Sequence, residues 1–224
     1  MKKAVHILVA LALIVSGGCE RQRNASFVPI RYVDSIVVNP HIREHVVLSF
    51  MAGSKPYGDI AIFDTPERCL LLSEMFMSVD VADNVDGAAL SDWLPDFAGE
   101  SIASIMDDRY APYSQYLGGR ENELRELAVR GFISAVDTSC SIAAYDAASR
   151  SRKPGAKALV LSSPFMTAFG RSDIDTLMKS FGVSIPVFSP VTSMLSEVFE
   201  TKSGPVNVFV LASDDVIRCG AYQN

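Results

Sequence analysis

KALVLSSPFMT, residues 157–167, decides the fold. Its apolar residues run continuously from Ala158 to Leu161 instead of alternating with polar ones, and the run stops at two serines. A strand of that kind suits a sheet covered on both faces, which usually means parallel strands with helices between them. Similar runs lie on either side. Downstream are SIPVFSP (184–190) and VNVFVLAS (206–213); upstream are SIASIMD (101–107), DIAIFDT (59–65) and HVVLSFMAGS (45–54). Each ends in small or turn-forming residues, so each is expected to be a strand.

The segments between them read as helices. PERCLLLSEMF (66–76) opens with proline, which the first helical position tolerates. GRENELRELAVRGFISAVDTSC (119–140) places Leu124, Leu127, Ala128, Phe132 and Ala135 at helical spacing. SDIDTLMKSFG (172–182) begins on a capping serine and stops at Gly182, and PVTSMLSEVFE (190–200) is amphipathic. Strands alternating with helices predict an α/β fold, a doubly wound and mostly parallel sheet with helices on both faces. No internal repeat stands out.

Ligands in such sheets bind beyond the carboxyl ends of the strands. The first candidates are therefore Asp64 and Thr65, Asp107 and Asp108, Ser162 and Ser163, Ser189, and Ser213. Hydroxyls and carboxylates in a row, next to helix N-termini, can hold a small polar anion. Serine and aspartate at these places are also ordinary helix caps.

Composition narrows the class. The chain has 224 residues, 49% hydrophobic and 21% charged, as in a globular protein. A net charge of −6, with no basic stripe, argues against nucleic acid as a partner. The N-terminus carries an address. MKK is followed by the apolar AVHILVALALIV and then by SGGC. This resembles a bacterial lipoprotein signal over residues 1–18, with Cys19 lipidated after cleavage. An ordinary cleaved signal is the alternative. The expected location is the bacterial cell envelope, on a lipid anchor. Residues 19–44 are polar and irregular, a tether or an arm packed on the domain that follows at 45–224. Cys69, Cys140 and Cys219 allow at most one internal disulfide, and no cysteine or histidine spacing points to a metal or a cofactor. His6 falls in the signal, and His41 and His45 read as surface residues. Residues 77–100, with DNVDG inside, lack the spaced ligands of a calcium loop and read as a polar loop or lid.

Four of these fragments stand in an order found in one family. KALVLSSPFMT resembles the KALVIACNTAS stretch of the aspartate/glutamate racemases. DDRYAPYS (107–114) resembles their GDTxxxPYG, SIPVFSPV (184–191) their IPVIGVV, and VNVFVLASDDVIRCGAYQ (206–223) their VGVLATxxTVxSGAYQ. IAIFDT (60–65) matches the strand that bears the family's Asp-Ser pair, with HVVLSFMAGS as a competitor. The likeness spans roughly residues 59–223. It implies one lobe of a two-lobe racemase, with residues 206–224 opening a second lobe that does not follow, either as a natural single lobe or as part of a longer protein.

The resemblance also says which chemistry to expect. Racemisation needs two acid/base groups on opposite faces of the substrate, and in this family both are cysteines, one from each lobe. At the position of the first stands Ser163, followed by Pro164 and Phe165. A serine hydroxyl is a far poorer base than a thiol, so no racemase activity is expected. A ligand site is still implied: Asp64, Thr65, Pro112, Tyr113, Ser114, Ser163 and Thr167, with Cys219 near the lobe junction, would hold a small carboxylate or amino-acid-like molecule. A homodimer or a second-lobe partner is also expected. The alternatives are a racemase or epimerase that acts as a dimer, and a hydrolase with Ser163 as nucleophile and Asp107 or Asp64 as its helper.

Overall fold

Residues 27–53, 57–141, 149–201 and 204–223 are described by a computed structural model; the expectations for residues 1–26, including the signal and Cys19, lie outside them. Four strands form one parallel sheet: β1 (Asp59–Asp64), β2 (Ile102–Met106), β5 (Ala156–Leu161) and β6 (Val187–Phe188), in the order β2-β1-β5-β6. Two short strands, β3 (Ser139–Ser141) and β4 (Arg150–Arg152), make a separate antiparallel pair. The helices are α1 (Arg31–Val38), α2 (Arg43–Met51), α3 (Pro66–Ser78), α4 (Glu121–Val136), α5 (Arg171–Phe181), α6 (Pro190–Thr201) and the short α7 (Asp214–Arg218). The expected α/β class holds, and so does the parallel sheet. From β1 the chain moves to one side, to β2, and then crosses to the other side, to β5. The switch point lies between β1 and β5.

One face of the sheet is sealed. Ala61, Phe63, Leu159 and Leu161 point into the main core with Leu124, Ala128 and Phe132 of α4 and Ile174 and Leu177 of α5. Close approach is built from small residues. A Cβ on Gly131 of α4 would lie 2.7 Å from the Phe63 ring, and one on Gly170 would lie 2.1 Å from Ala128 Cβ. Any side chain at either place must push helix from sheet or helix from helix. The opposite face carries Ile60, Ile62 and Val160 against Cys69, Leu72 and Phe76 of α3, with Phe97 set edge-on to Phe76 at 4.7 Å.

Several segments depart from the expected elements. HVVLSFMAGS is not a strand: Arg43–Met51 is helical and buries Leu48 and Met51. VNVFVLAS is not a strand either. Residues 206–212 have no regular structure, and their backbone makes no hydrogen bond to the backbone of another described residue. Residues 31–38, inside the expected arm, form α1 and place Val33 and Ile36 in the core, so the domain begins before residue 45. The reason is a polar clamp. The buried Asp173 carboxylate accepts Arg125 Nε at 2.6 Å and the Ile30 N–H at 3.3 Å, and Arg125 also donates to the Val28 carbonyl at 2.8 Å.

Ser172 does not start its helix. The helical run begins at Pro164 and passes through a π-helical turn, Met166–Gly170, before α5. Gly182 does end α5, left-handed at φ 67°. The terminal Gly220–Gln223 is a turn, not the opening of a helix. His41 is exposed as expected, but His45 is half-buried: its Nδ1 lies 2.8 Å from the Ile36 carbonyl and its ring packs edge-on to Phe181.

Residues 79–101 contain neither helix nor strand and are organised by their own carboxylates. Asp80 accepts from the Ser91 hydroxyl and the Trp93 N–H, and Asp96 accepts from the N–H groups of Val81 and Ala82. Trp93 sits at φ +71° with its indole 93% exposed. Among the described residues no cluster of acidic, histidine or cysteine side chains could hold a metal ion, and no helix is long and apolar enough to cross a membrane.

Candidate functional site

A cleft of about 470 Å³ opens at the carboxyl ends of β1 and β5, the place the switch point dictates. Six of the eight expected ligand-site residues line it: Asp64, Thr65, Pro112, Tyr113, Ser114 and Ser163. Arg68, Ala111, Phe165, Asp215 and Val216 complete its wall, with Ser213. Each side chain arrives by a simple route. Asp64 is the last residue of β1, and Arg68 follows it by one turn of α3. Tyr113 lies just after the cis Ala111–Pro112 bond and opens a 3-10 turn, Tyr113–Tyr116. Val216 and Asp215 come from α7.

Asp64 borders the cleft with its side chain fully buried. The Ser162 hydroxyl donates to Oδ2, and the Thr65 N–H donates to Oδ1 at 2.8 Å. Arg68 is 3.9 Å away and half in solvent. Burial pushes the Asp64 pKa up, while the bonds from Ser162 and Thr65 and the Arg68 charge pull it back. Tyr113 is buried beside it. Its buried hydroxyl makes no bond of full hydrogen-bond geometry among the described residues, but the Asp107 carboxylate lies close enough to engage it. Burial, together with the negative charges of Asp64 and Asp107, pushes its pKa up, so the phenol stays protonated.

Other expected residues serve the scaffold. Ser163 Oγ accepts the Phe165 N–H at 3.2 Å and so caps the helical run that starts at Pro164. Its expected helper, Asp64, is bonded by Ser162 instead. Asp107 accepts the N–H groups of Arg109 and Tyr110 and closes its own turn. Thr167 donates to the Ser163 carbonyl at 3.1 Å and is not part of the wall. Ser189 caps α6 through the Thr192 N–H, and Asp108 stays exposed outside the cleft. Cys219 is buried with its thiol on the Val216 carbonyl, also off the wall. Cys69 lies beneath the cleft, its thiol donating to the carbonyls of Ile62 and Asp64, and burial raises its pKa to about 11. No thiol lines the cleft among the described residues. Residues 77–100 contribute nothing to the cleft either. They cover the opposite face of the sheet through Phe97 and are not its lid.

Sequence reasoning missed Arg68, Phe165, Asp215 and Val216. Arg68 had a signal, being four residues after Asp64 in a segment already read as helix, so both fall on one side of the same turn. No protein-family model matches this chain, and no curated protein or solved structure matches it.

Proposed function

We propose that this is a lipid-anchored cell-envelope protein whose strand-end cleft binds a small carboxylate or amino-acid-like molecule without racemising it. The observation that carries the reading is the half-exposed Arg68 guanidinium in a strand-end cleft whose wall also carries Thr65, Ser114, Ser163 and Asp215. An amino acid brings complementary groups. Its carboxylate suits Arg68, and its ammonium suits the half-exposed Asp215 carboxylate on the same wall. The anchor rests on the charged, apolar and small-residue order before Cys19. The lack of racemisation rests on Ser163 at the position of the family's thiol and on its use as a helix cap. A hydroxyl that ties down its own backbone, far from its pKa, is a poor carbon base.

A thermal-shift screen against D- and L-amino acids and short dicarboxylates tests the reading. A hit should raise the melting midpoint of the wild type, with the gain lost in Asp215→Asn and Arg68→Ala. A screen without hits, or hits indifferent to both substitutions, would remove the cleft as a ligand site. Interconversion of D- and L-glutamate or aspartate by the purified chain would refute the non-catalytic part alone.

A further inference from the structure

The second face of the sheet is unfinished. Between α3 and α6 runs an apolar groove of about 350 Å³, floored by Ile60, Ala158 and Val160 and walled by Phe76, Phe97 and Phe188. A sealed apolar cavity of about 150 Å³ already takes a benzene ring, so this one has room for more than one large side chain. Helix α6 does not fill it. Its apolar residues recur at helical spacing, Val191, Met194, Leu195, Val198 and Phe199, yet only Val191 is buried. The chain that follows α6 adds side chains with nowhere to go. Phe209 is 95% exposed and Leu211 fully exposed. The backbone of residues 206–212 bonds to no backbone among the described residues, which leaves both side chains able to turn toward another surface.

We infer that this face joins two copies of the chain, with Phe209 and Leu211 of each seated in the groove between α3 and α6 of the other. The argument for a second copy is that one molecule carries both the projecting side chains and a groove for them. A two-fold axis beside α6 makes both contacts at once and closes the assembly. The size also fits. Taking roughly 150–200 Å² for a fully exposed large apolar residue, the exposed fractions of Phe188, Met194, Phe199, Val208, Phe209 and Leu211 come to about 600–800 Å² per copy. A stable interface of standard size buries about 800 Å² on each partner. The inference does not depend on the ligand reading, because the groove shares no residue with the strand-end cleft.

Sedimentation velocity of the full chain over a roughly hundredfold concentration range tests it. The wild type should sediment as a dimer. Phe209→Glu with Leu211→Glu should weaken the dimer at least about 30-fold, as expected for central apolar anchors. Ser193→Trp, at an exposed α6 position that lines the groove, should do the same by filling it. Circular dichroism shows whether each variant is folded, and if one fails the other is read. A monomeric wild type, or a dimer that survives in a folded variant, would overturn the inference. So would loss of fold in both variants, which would make these positions core. A monomer that binds phosphatidylethanolamine–phosphatidylglycerol vesicles through Phe209 would assign the segment to lipid instead. Ligand-induced thermal shifts should persist in the monomeric variants, so the two proposals fail separately.

Discussion

Neighbouring residues of β1 and β5 point to opposite faces of the sheet, and the two faces are finished differently. Ala61, Phe63, Leu159 and Leu161 are sealed under α4 and α5, at contacts so close that Gly131 and Gly170 are needed. Ile60 and Val160, one residue away, form the floor of an open groove. The strands make the same demand on both sides, since both alternations are apolar. One side is met by α4 and α5, which pack on each other, and the other keeps a groove between α3 and α6. The difference teaches that a continuous apolar strand specifies burial on two faces but does not say whether its own chain supplies both covers.

The comparison can be broken most severely at the clamp on the sealed side. Asp173→Ala strands Arg125, whose guanidinium is mostly buried, and frees Ile30. A loss of about 3–5 kcal/mol in urea unfolding is expected. A loss under about 1 kcal/mol would mean the clamp is incidental. Next comes a matched pair on β5. Leu159→Ala on the sealed face should cost about 2–5 kcal/mol, whereas Val160→Ala beside the groove should cost about 1 kcal/mol, because a site that opens on a groove can collapse or hydrate. Equal costs would erase the distinction between the faces. Gly131→Ala should cost about 1–3 kcal/mol through overpacking against Phe63, measured by the same unfolding curves.

The smallest effect is expected at Asp64, where both faces meet the cleft. Its pKa is raised by burial, so between the unfolded value of about 3.9 and the folded value the native state binds more protons than the unfolded state. Its contribution to stability is therefore complete below that lower value and is lost as pH rises through the folded one. Asp64→Asn should flatten this part of the pH–stability curve. An unchanged slope would show that Asp64 is not the group responsible.

The sheet was legible where apolar residues run unbroken and end at a turn, as at Asp59–Asp64, Ile102–Met106 and Ala156–Leu161. HVVLSFM misled because a short apolar run has no period of its own. Only packing against α4 makes it a helix. VNVFVLA reads as a strand for the same local reasons, but pairing requires a neighbour, and no backbone among the described residues provides one. In the cleft, Asp64 and Ser163 were found because ligands collect at strand ends. Arg68 depended on the phase of α3. The burial of the Tyr113 hydroxyl beside Asp64 and Asp107 is a fact about three dimensions that no spacing records. Ser163 shows the limit of position alone, since the same residue marks a family site and caps a helix.

The one tryptophan of the chain, Trp93, stands in water on a loop pinned by carboxylates, far in kind from the packed rings of the core. Its fluorescence in the native protein should already have the red-shifted emission of a free indole. Unfolding would then change its colour very little, and an experimenter who followed only that signal would record an unfolded protein at every denaturant concentration.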